Sequence, residues 1–260
     1  MRVTFLGTGS ALPNGKRFQT GLLLEHDRNC RTTDSGSDDG RSGPLLVDCG
    51  SGVVHALART DVGYEGISTV LLTHHHLDHV SDLLVLLKAR WLAGTDPLAV
   101  IGPPGTSELL DELLSVHEYL YDKVEITVRE VEPGSFACSG FDVEAIETRH
   151  SMDCLAYRFE EGDSTFTFSG DSEAFDALGA FADGSDVLAH DCSFPDEIDV
   201  SNHPTPTQLG DSLAGRTIGQ VLLTHLYPHT DGHHEEMLEA IQSHYEGDVK
   251  VARDGLCIEL

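Results

Sequence analysis

Residues 70–79 read V-L-L-T-H-H-H-L-D-H, an apolar run that breaks into a cluster of metal-capable side chains. Within it His74, His76, Asp78 and His79 form the pattern H-x-H-x-D-H. Neutral imidazoles and carboxylates are the donors that zinc takes at about 2.0–2.2 Å in catalytic sites. The apolar run reads as a buried strand, so the cluster stands at a strand's end. His74 and His76 alternate as in an extended segment and can face one ion. Asp78 and His79 are adjacent, point elsewhere and can hold a second. That arrangement suits a hydrolase with two ions about 3.5–4 Å apart. The competing reading, a solvated histidine-rich loop, loses ground to matching residues downstream.

Three later segments supply further donors. His150 follows the strand-like F-D-V-E-A-I-E, Asp171 ends F-T-F-S-G-D, and His225 follows V-L-L-T. The form "apolar strand, Thr, His" occurs at both His74 and His225, as an internal duplication would produce. A single strand-end histidine is more often a hydrogen-bonded structural residue. Four such segments in this order point to one centre.

Outward from the motif, β-like runs occupy 2–6, 20–25, 44–48 and 68–72, with a short helix expected over 52–60. After the motif, V-S-D-L-L-V-L-L-K-A-R-W-L carries apolar residues on nearly every face, predicting a largely buried helix from near His79. A strand at 97–101 precedes a helix starting at Thr106 or Ser107. Strands follow at 124–130, 135–138, 141–147, 155–159 and 165–169, then helices near 173–181, 206–215 and 233–245, with strands at 186–189, 220–223 and 256–260. Two sheets with helices outside predict an α/β protein, a four-layer αββα sandwich from two similar halves, in one domain over 1–260. Residues 27–43, rich in Asp, Ser, Gly and Arg, read as an exposed loop that could act as a lid.

The chain of 260 residues carries 44 Asp and Glu against 16 Lys and Arg, a formal charge of -28, and lysine occurs only at Lys16, Lys88, Lys123 and Lys250. Such acidity is expected of a halophilic protein. At 1 M salt the Debye length is about 3 Å, so the charge describes the solvent more than the ligand. Cys30, Cys49, Cys138, Cys154, Cys192 and Cys257 form no C-x-x-C pair, which argues against a zinc ribbon or disulfide scaffold. No long apolar run predicts a membrane span, and M-R-V-T-F-L-G-T-G-S lacks a signal-peptide core. The expected location is the cytoplasm.

The order of these motifs resembles the metallo-β-lactamase superfamily along nearly the whole chain, and within it the branch of ribonuclease Z and cyclic phosphodiesterases. The resemblance implies two divalent ions, zinc first and manganese second. It assigns His74, His76 and His150 to one ion and Asp78, His79 and His225 to the other. Asp171 bridges them together with a water or hydroxide; lactamases commonly have cysteine there. Asp48, in L-L-V-D-C-G-S-G, matches an aspartate that orients ligands from behind. L-A-H-D-C-S-F around His190 and Asp191 resembles the His-Glu-Ala-Thr motif of ribonuclease Z, and N-H-P-T-P-T-Q its His-Ser-Thr segment. Asp191 would then orient His203, which protonates the leaving oxygen; Asp78 joins these two as a catalytic residue. The chain departs from the branch by having Asp for Glu at 191 and altered residues around His203. His75 points away from the metals, and His229, His233 and His234 read as surface residues. The loop at 7–15 resembles one that borders the active-site mouth.

Ribonuclease Z proper carries a long Gly- and Pro-rich arm that clamps transfer RNA. Only the helix near 173–181 and a turn separate Asp171 from His190, and no basic cluster replaces the arm. The implied activity is hydrolysis of a small or cyclic phosphodiester, with no membrane partner and a homodimer expected from the resemblance. RNA 3′-end cleavage is the alternative, and a hydrolase of lactones, thioesters or sulfate esters shares the ligand set.

Overall fold

The computed structural model describes residues 1–27, 43–95, 97–198 and 200–260. The loop expected at 27–43 lies outside them apart from Asp27 and Gly43. The first half runs β1 (Arg2–Gly7), β2 (Gly21–Glu25), β3 (Leu45–Val47), α1 (Val53–Leu57), β4 (Thr69–Leu71), α2 (Leu77–Val80), α3 (Leu83–Ala93), β5 (Leu98–Gly102), α4 (Thr106–Val116), α5 (Glu118–Tyr121) and β6 (Ile126–Glu130). The second runs β7 (Gly134–Cys138), β8 (Phe141–Glu147), β9 (Leu155–Glu161), β10 (Ser164–Phe168), α6 (Asp176–Ala182), β11 (Val187–Asp191), α7 (Pro206–Leu213), β12 (Gln220–Thr224), α8 (His234–Gln242), β13 (Asp248–Val251) and β14 (Cys257–Glu259).

Among the described residues these strands form two seven-stranded sheets, β14-β1-β2-β3-β4-β5-β6 and β13-β12-β11-β10-β9-β8-β7. Each sheet changes from antiparallel to parallel partway, at β3 in one and β10 in the other. Strands β3, β4 and β5 are buried along their whole lengths, as parallel strands covered on both faces require. By contrast, β8 alternates buried and exposed residues from Phe141 to Ala145, with one face in the core and one in solvent. Phe5, Leu22 and Leu71 of the first sheet meet Tyr157, Phe159 and Phe166 of the second in the central core. Outside, Val53, Leu83, Leu86 and Leu110 pack helices on the first sheet. Leu209, Leu213, Met237 and Ile241 do the same on the second. The layers run helix, sheet, sheet, helix, the expected sandwich.

Three expectations need correction. The helix placed from near His79 begins earlier and is split into α2 and α3, because Asp82 is engaged elsewhere. Its Oδ2 accepts the Gly52 and Val54 amides at 2.9 and 3.1 Å, capping α1, while its own amide donates to Cys49 O at 2.9 Å. Nor is α3 buried all round: Val85 is 47% and Leu92 67% exposed. Finally, the twin V-L-L-T-H segments do not occupy matching places. β4 is the second strand of its parallel run and β12 the third, so the match does not mark one duplicated strand. The short elements α5 and β13 carry too little periodicity to be read in advance.

Cys49, Cys138, Cys154 and Cys192 are buried, as small apolar groups would be, and Cys257 is exposed. No helix among the described residues is long and apolar enough to cross a membrane. The carboxyl ends of the parallel strands in both sheets open into one cleft, the usual ligand position in α/β sheets. Asp48 follows β3, Asp191 ends β11 and His225 follows β12 there.

Candidate metal centre

Donor atoms of His74, His76, His150 and Asp171 lie within 4.8 Å of one another, and so do those of Asp78, His79, Asp171 and His225. Asp171, 2% exposed, belongs to both groups. Its Oδ2 lies 3.6 Å from His74 Nε2, 3.7 Å from His150 Nε2 and 3.3 Å from His225 Nε2, and its Oδ1 lies 3.3 Å from His79 Nε2. His225 Nε2 also reaches Asp78 Oδ2 at 3.0 Å.

The partners behind these imidazoles decide which nitrogen faces inward. His79 Nδ1–H donates to Asp48 Oδ2 at 2.7 Å, and His150 Nδ1–H to Asn202 O at 3.2 Å. His225 Nδ1–H donates to Ser193 Oγ at 3.1 Å. Thr73 gives its hydroxyl proton to Asp48 Oδ2 at 2.8 Å and so accepts from His74 Nδ1–H at 3.0 Å. Each outward bond fixes the tautomer and leaves an Nε2 lone pair aimed at the cleft. His76 instead turns Nδ1 inward, 3.1 Å from Nε2 of both His74 and His150. Asp48 and His225 adopt φ of 59° and 55°. This left-handed backbone is unusual for residues with a Cβ, though more accessible to Asp and His, and it redirects their side chains at the strand ends. Strain held at such positions is typical of functional sites.

Two orphaned atoms test whether ions fit. His79 Nε2 and Asp171 Oδ1 are buried and have no hydrogen-bond partner, although they lie 3.3 Å apart. An unsatisfied buried polar group costs about 1–3 kcal/mol, and a cation between the two would satisfy both. The inward Nε2 atoms of His74 and His150 likewise lie closer to His76 Nδ1, at 3.1 Å, than to the Asp171 carboxylate, at 3.6 and 3.7 Å. Mixed imidazole and carboxylate donors suit zinc and admit manganese. The residues present fit divalent ions.

Electrostatics divides the two groups. Burial, reinforced by neighbouring imidazoles, holds His74 well below its ordinary pKa, and burial also lowers His76 and His150. These rings are neutral, the form that ligates. Burial opposes charge on His79 too, yet the Asp171 and Asp48 carboxylates outweigh it and raise it to about 10. His225 is raised well above its ordinary value in the same way, burial being overcome by the carboxylates of Asp171, Asp191 and Asp78. Without ions, protons on these two imidazoles balance the carboxylates.

A stability prediction follows from His79. Its folded pKa is raised, so its contribution is complete below about 6.5 and is lost as pH rises through about 10. Chelator-treated protein is expected to show a thermal midpoint that falls across that window, while added zinc flattens the profile. A flat profile in chelator would contradict this exchange of protons for metal.

Beside the second group stands a carboxylate–imidazole pair. Asp191, fully buried, accepts His203 Nδ1–H at 2.7 Å. The His203 ring stacks on His225 with centroids 5.4 Å apart. Burial works against protonated His203, but Asp191 prevails and raises its pKa. His203 is no helix cap, because Thr205 and Gln208 form a reciprocal capping box on α7. His75 turns away, with Nε2 2.8 Å from Thr106 Oγ1, while His229 is exposed and His233 pairs with Glu236 at 2.9 Å. The early glycine loop borders the cleft: Thr8 O accepts the Leu226 amide at 3.0 Å. Sequence reading missed Thr73, Ser193 and Asn202. Thr73 and Ser193 sit beside recognised motif residues and could have been suspected, whereas a carbonyl such as that of Asn202 leaves no sequence signal.

Residues 44–226 match the family model described as Beta-lactamase superfamily domain. The chain belongs to the beta-lactamase superfamily. Ribonuclease Z of Mycobacterium bovis is 27% identical over 283 residues, covering 98% of this chain and 96% of the relative. The metallo-beta-lactamase fold protein YhfI from Bacillus subtilis superposes with a TM-score of 0.81 at 25% identity, covering 100% of this chain and 99% of the other. Human tRNase Z, short form, superposes with a TM-score of 0.74 at 20% identity, covering 100% and 99%. This superfamily member lies in the ribonuclease Z-like branch and is a metal-dependent hydrolase.

Proposed function

We propose that the protein is a dinuclear phosphodiesterase acting on small or cyclic phosphodiesters. The observation that carries this reading is Asp171, a buried carboxylate shared by two donor groups and adjoined by a proton-donating pair. His74, His76 and His150 would hold one ion and Asp78, His79 and His225 the other, with Asp171 reaching both and Asp48 orienting His79 from behind. Two divalent ions bound there supply Lewis acidity at the phosphoryl oxygen and a hydroxide nucleophile at neutral pH. The chain's own part in leaving-group departure falls to His203. With Nδ1–H given to Asp191, its Nε2 is the nitrogen free to deliver a proton to the departing alkoxide. General acid help of this kind is worth about 10²–10⁴-fold.

The preference for a small substrate rests on what surrounds the cleft. The connections from β7 to β10 and on to β11 are two tight turns, a short loop and one helix, with no arm among the described residues. Lys and Arg total 16 against 44 acidic residues, a poor balance for neutralising a polyphosphate chain. Cleavage of RNA 3′ ends is the second reading, favoured by the 27% identity to a ribonuclease Z over nearly the whole chain. In molar salt with zinc or manganese, an aryl phosphodiester is expected to turn over far more efficiently than precursor transfer RNA. Comparable or better cleavage of the RNA would establish the second reading, and no phosphodiester turnover with either metal would remove both.

A further inference from the structure

Ser193 lies between the donor groups and the proton-donating pair, fully buried. Its Oγ is 3.1 Å from His225 Nδ1, 3.3 Å from His203 Nδ1, 2.6 Å from Asp191 Oδ1 and 3.0 Å from His225 O. A hydroxyl has one proton to give. The shortest contact and the only carboxylate is Asp191 Oδ1, so the proton goes there, and Oγ accepts His225 Nδ1–H in return. Asp191 Oδ2 is then left to accept His203 Nδ1–H at 2.7 Å. The bonds run His225 Nδ1–H to Ser193, Ser193 O–H to Asp191, and His203 Nδ1–H to Asp191, one unbroken chain from a metal-facing imidazole to the proton donor.

From this chain we infer that Ser193 is a positioning residue that registers the proton donor on the metal centre. The inference rests on the phosphodiesterase reading above. Apart from Ser193 and His203 itself, the Asp191 carboxylate is held only loosely among the described residues, by the Ser172 amide at 3.4 Å and by His225 Nδ1 at 3.7 Å from Oδ1. Without the Ser193 hydroxyl the carboxylate can swing, and His203 Nε2 loses its fixed direction while the inward Nε2 atoms stay in place. His225 would keep its bonding through Nε2, whose nearest neighbours are Asp78 and Asp171.

The test compares Ser193→Ala with Ser193→Thr, which keeps the hydroxyl. With a nitrophenolate leaving group, which needs no proton, the alanine variant loses only what the loosened His225 costs the centre, and its kcat at saturating zinc gives the baseline for the comparison. With an alkoxide leaving group its kcat at saturating zinc should fall about 10–100-fold further than with nitrophenolate at little-changed KM, and the threonine variant should recover most of that extra loss. Equal losses on both leaving groups at saturating zinc would overturn the inference. A readout free of turnover is the imidazole N–H spectrum of ¹⁵N-labelled protein. The hydrogen-bonded His203 Nδ1–H signal should weaken through exchange in the alanine variant and persist in the threonine variant; an unchanged signal in the alanine variant overturns the inference. If the parent turns over no phosphodiester, the functional reading fails, while the spectrum still decides the role of Ser193. Should the alanine variant not fold, Ser193→Cys, with a weaker donor of similar size, carries the same comparisons.

Discussion

Replacing Asp171 by alanine is expected to reduce bound zinc from about two ions per chain to below one and to lower turnover by about 10³-fold or more. Asp171 is the single carboxylate common to both donor groups, and its oxygens face His74, His150, His225 and His79. Metal ions contribute several kcal/mol of charge stabilisation in such reactions, and about 4 kcal/mol is about 10³-fold in rate. Loss of a peripheral ligand such as His76, which is only partly buried, should be milder: one ion weakened, the other retained. Metal analysis beside kinetics on Asp171→Ala and His76→Ala checks the order. If Asp171→Ala kept two ions and parental kcat, a shared centre would be untenable.

The second large effect concerns the proton donor. His203→Ala should cost about 10²–10⁴-fold on substrates with alkoxide leaving groups and little on nitrophenolate ones. Asp191→Asn gives a different signature. A general acid works while protonated, so activity is present below the pKa of His203 and is lost as pH rises through it. Asp191 raises that pKa against the effect of burial. Removing the charge should therefore move the alkaline limb of kcat to lower pH. An alkaline limb at the parental position in Asp191→Asn would show that another group sets it.

How much of this could be read from residues alone depended on the distance over which each contact acts. The donors clustered at 74–79 are legible because strand alternation and adjacency lie within a few residues. His150, Asp171 and His225 could be found because each stands just beyond an apolar strand, and the sandwich itself followed from the strand and helix pattern. The pairing of Asp191 with His203 came from the family resemblance, since the two stand twelve positions apart; its 2.7 Å bond is a tertiary fact. Beyond reach were contacts that spend a side chain on another element. Asp82 caps α1 and thereby breaks the predicted long helix, and Thr73 links Asp48 to His74. The V-L-L-T-H repeat misled because identical strand ends can serve different positions in a sheet.

The central claim is a two-ion centre joined by Asp171, and diffraction with anomalous scattering from zinc-loaded crystals tests it most directly. Two strong peaks are predicted, one contacting His74, His76 and His150, the other contacting Asp78, His79 and His225, both within bonding distance of Asp171. A single peak that bypasses Asp171, or zinc bound only elsewhere on the chain, would contradict it.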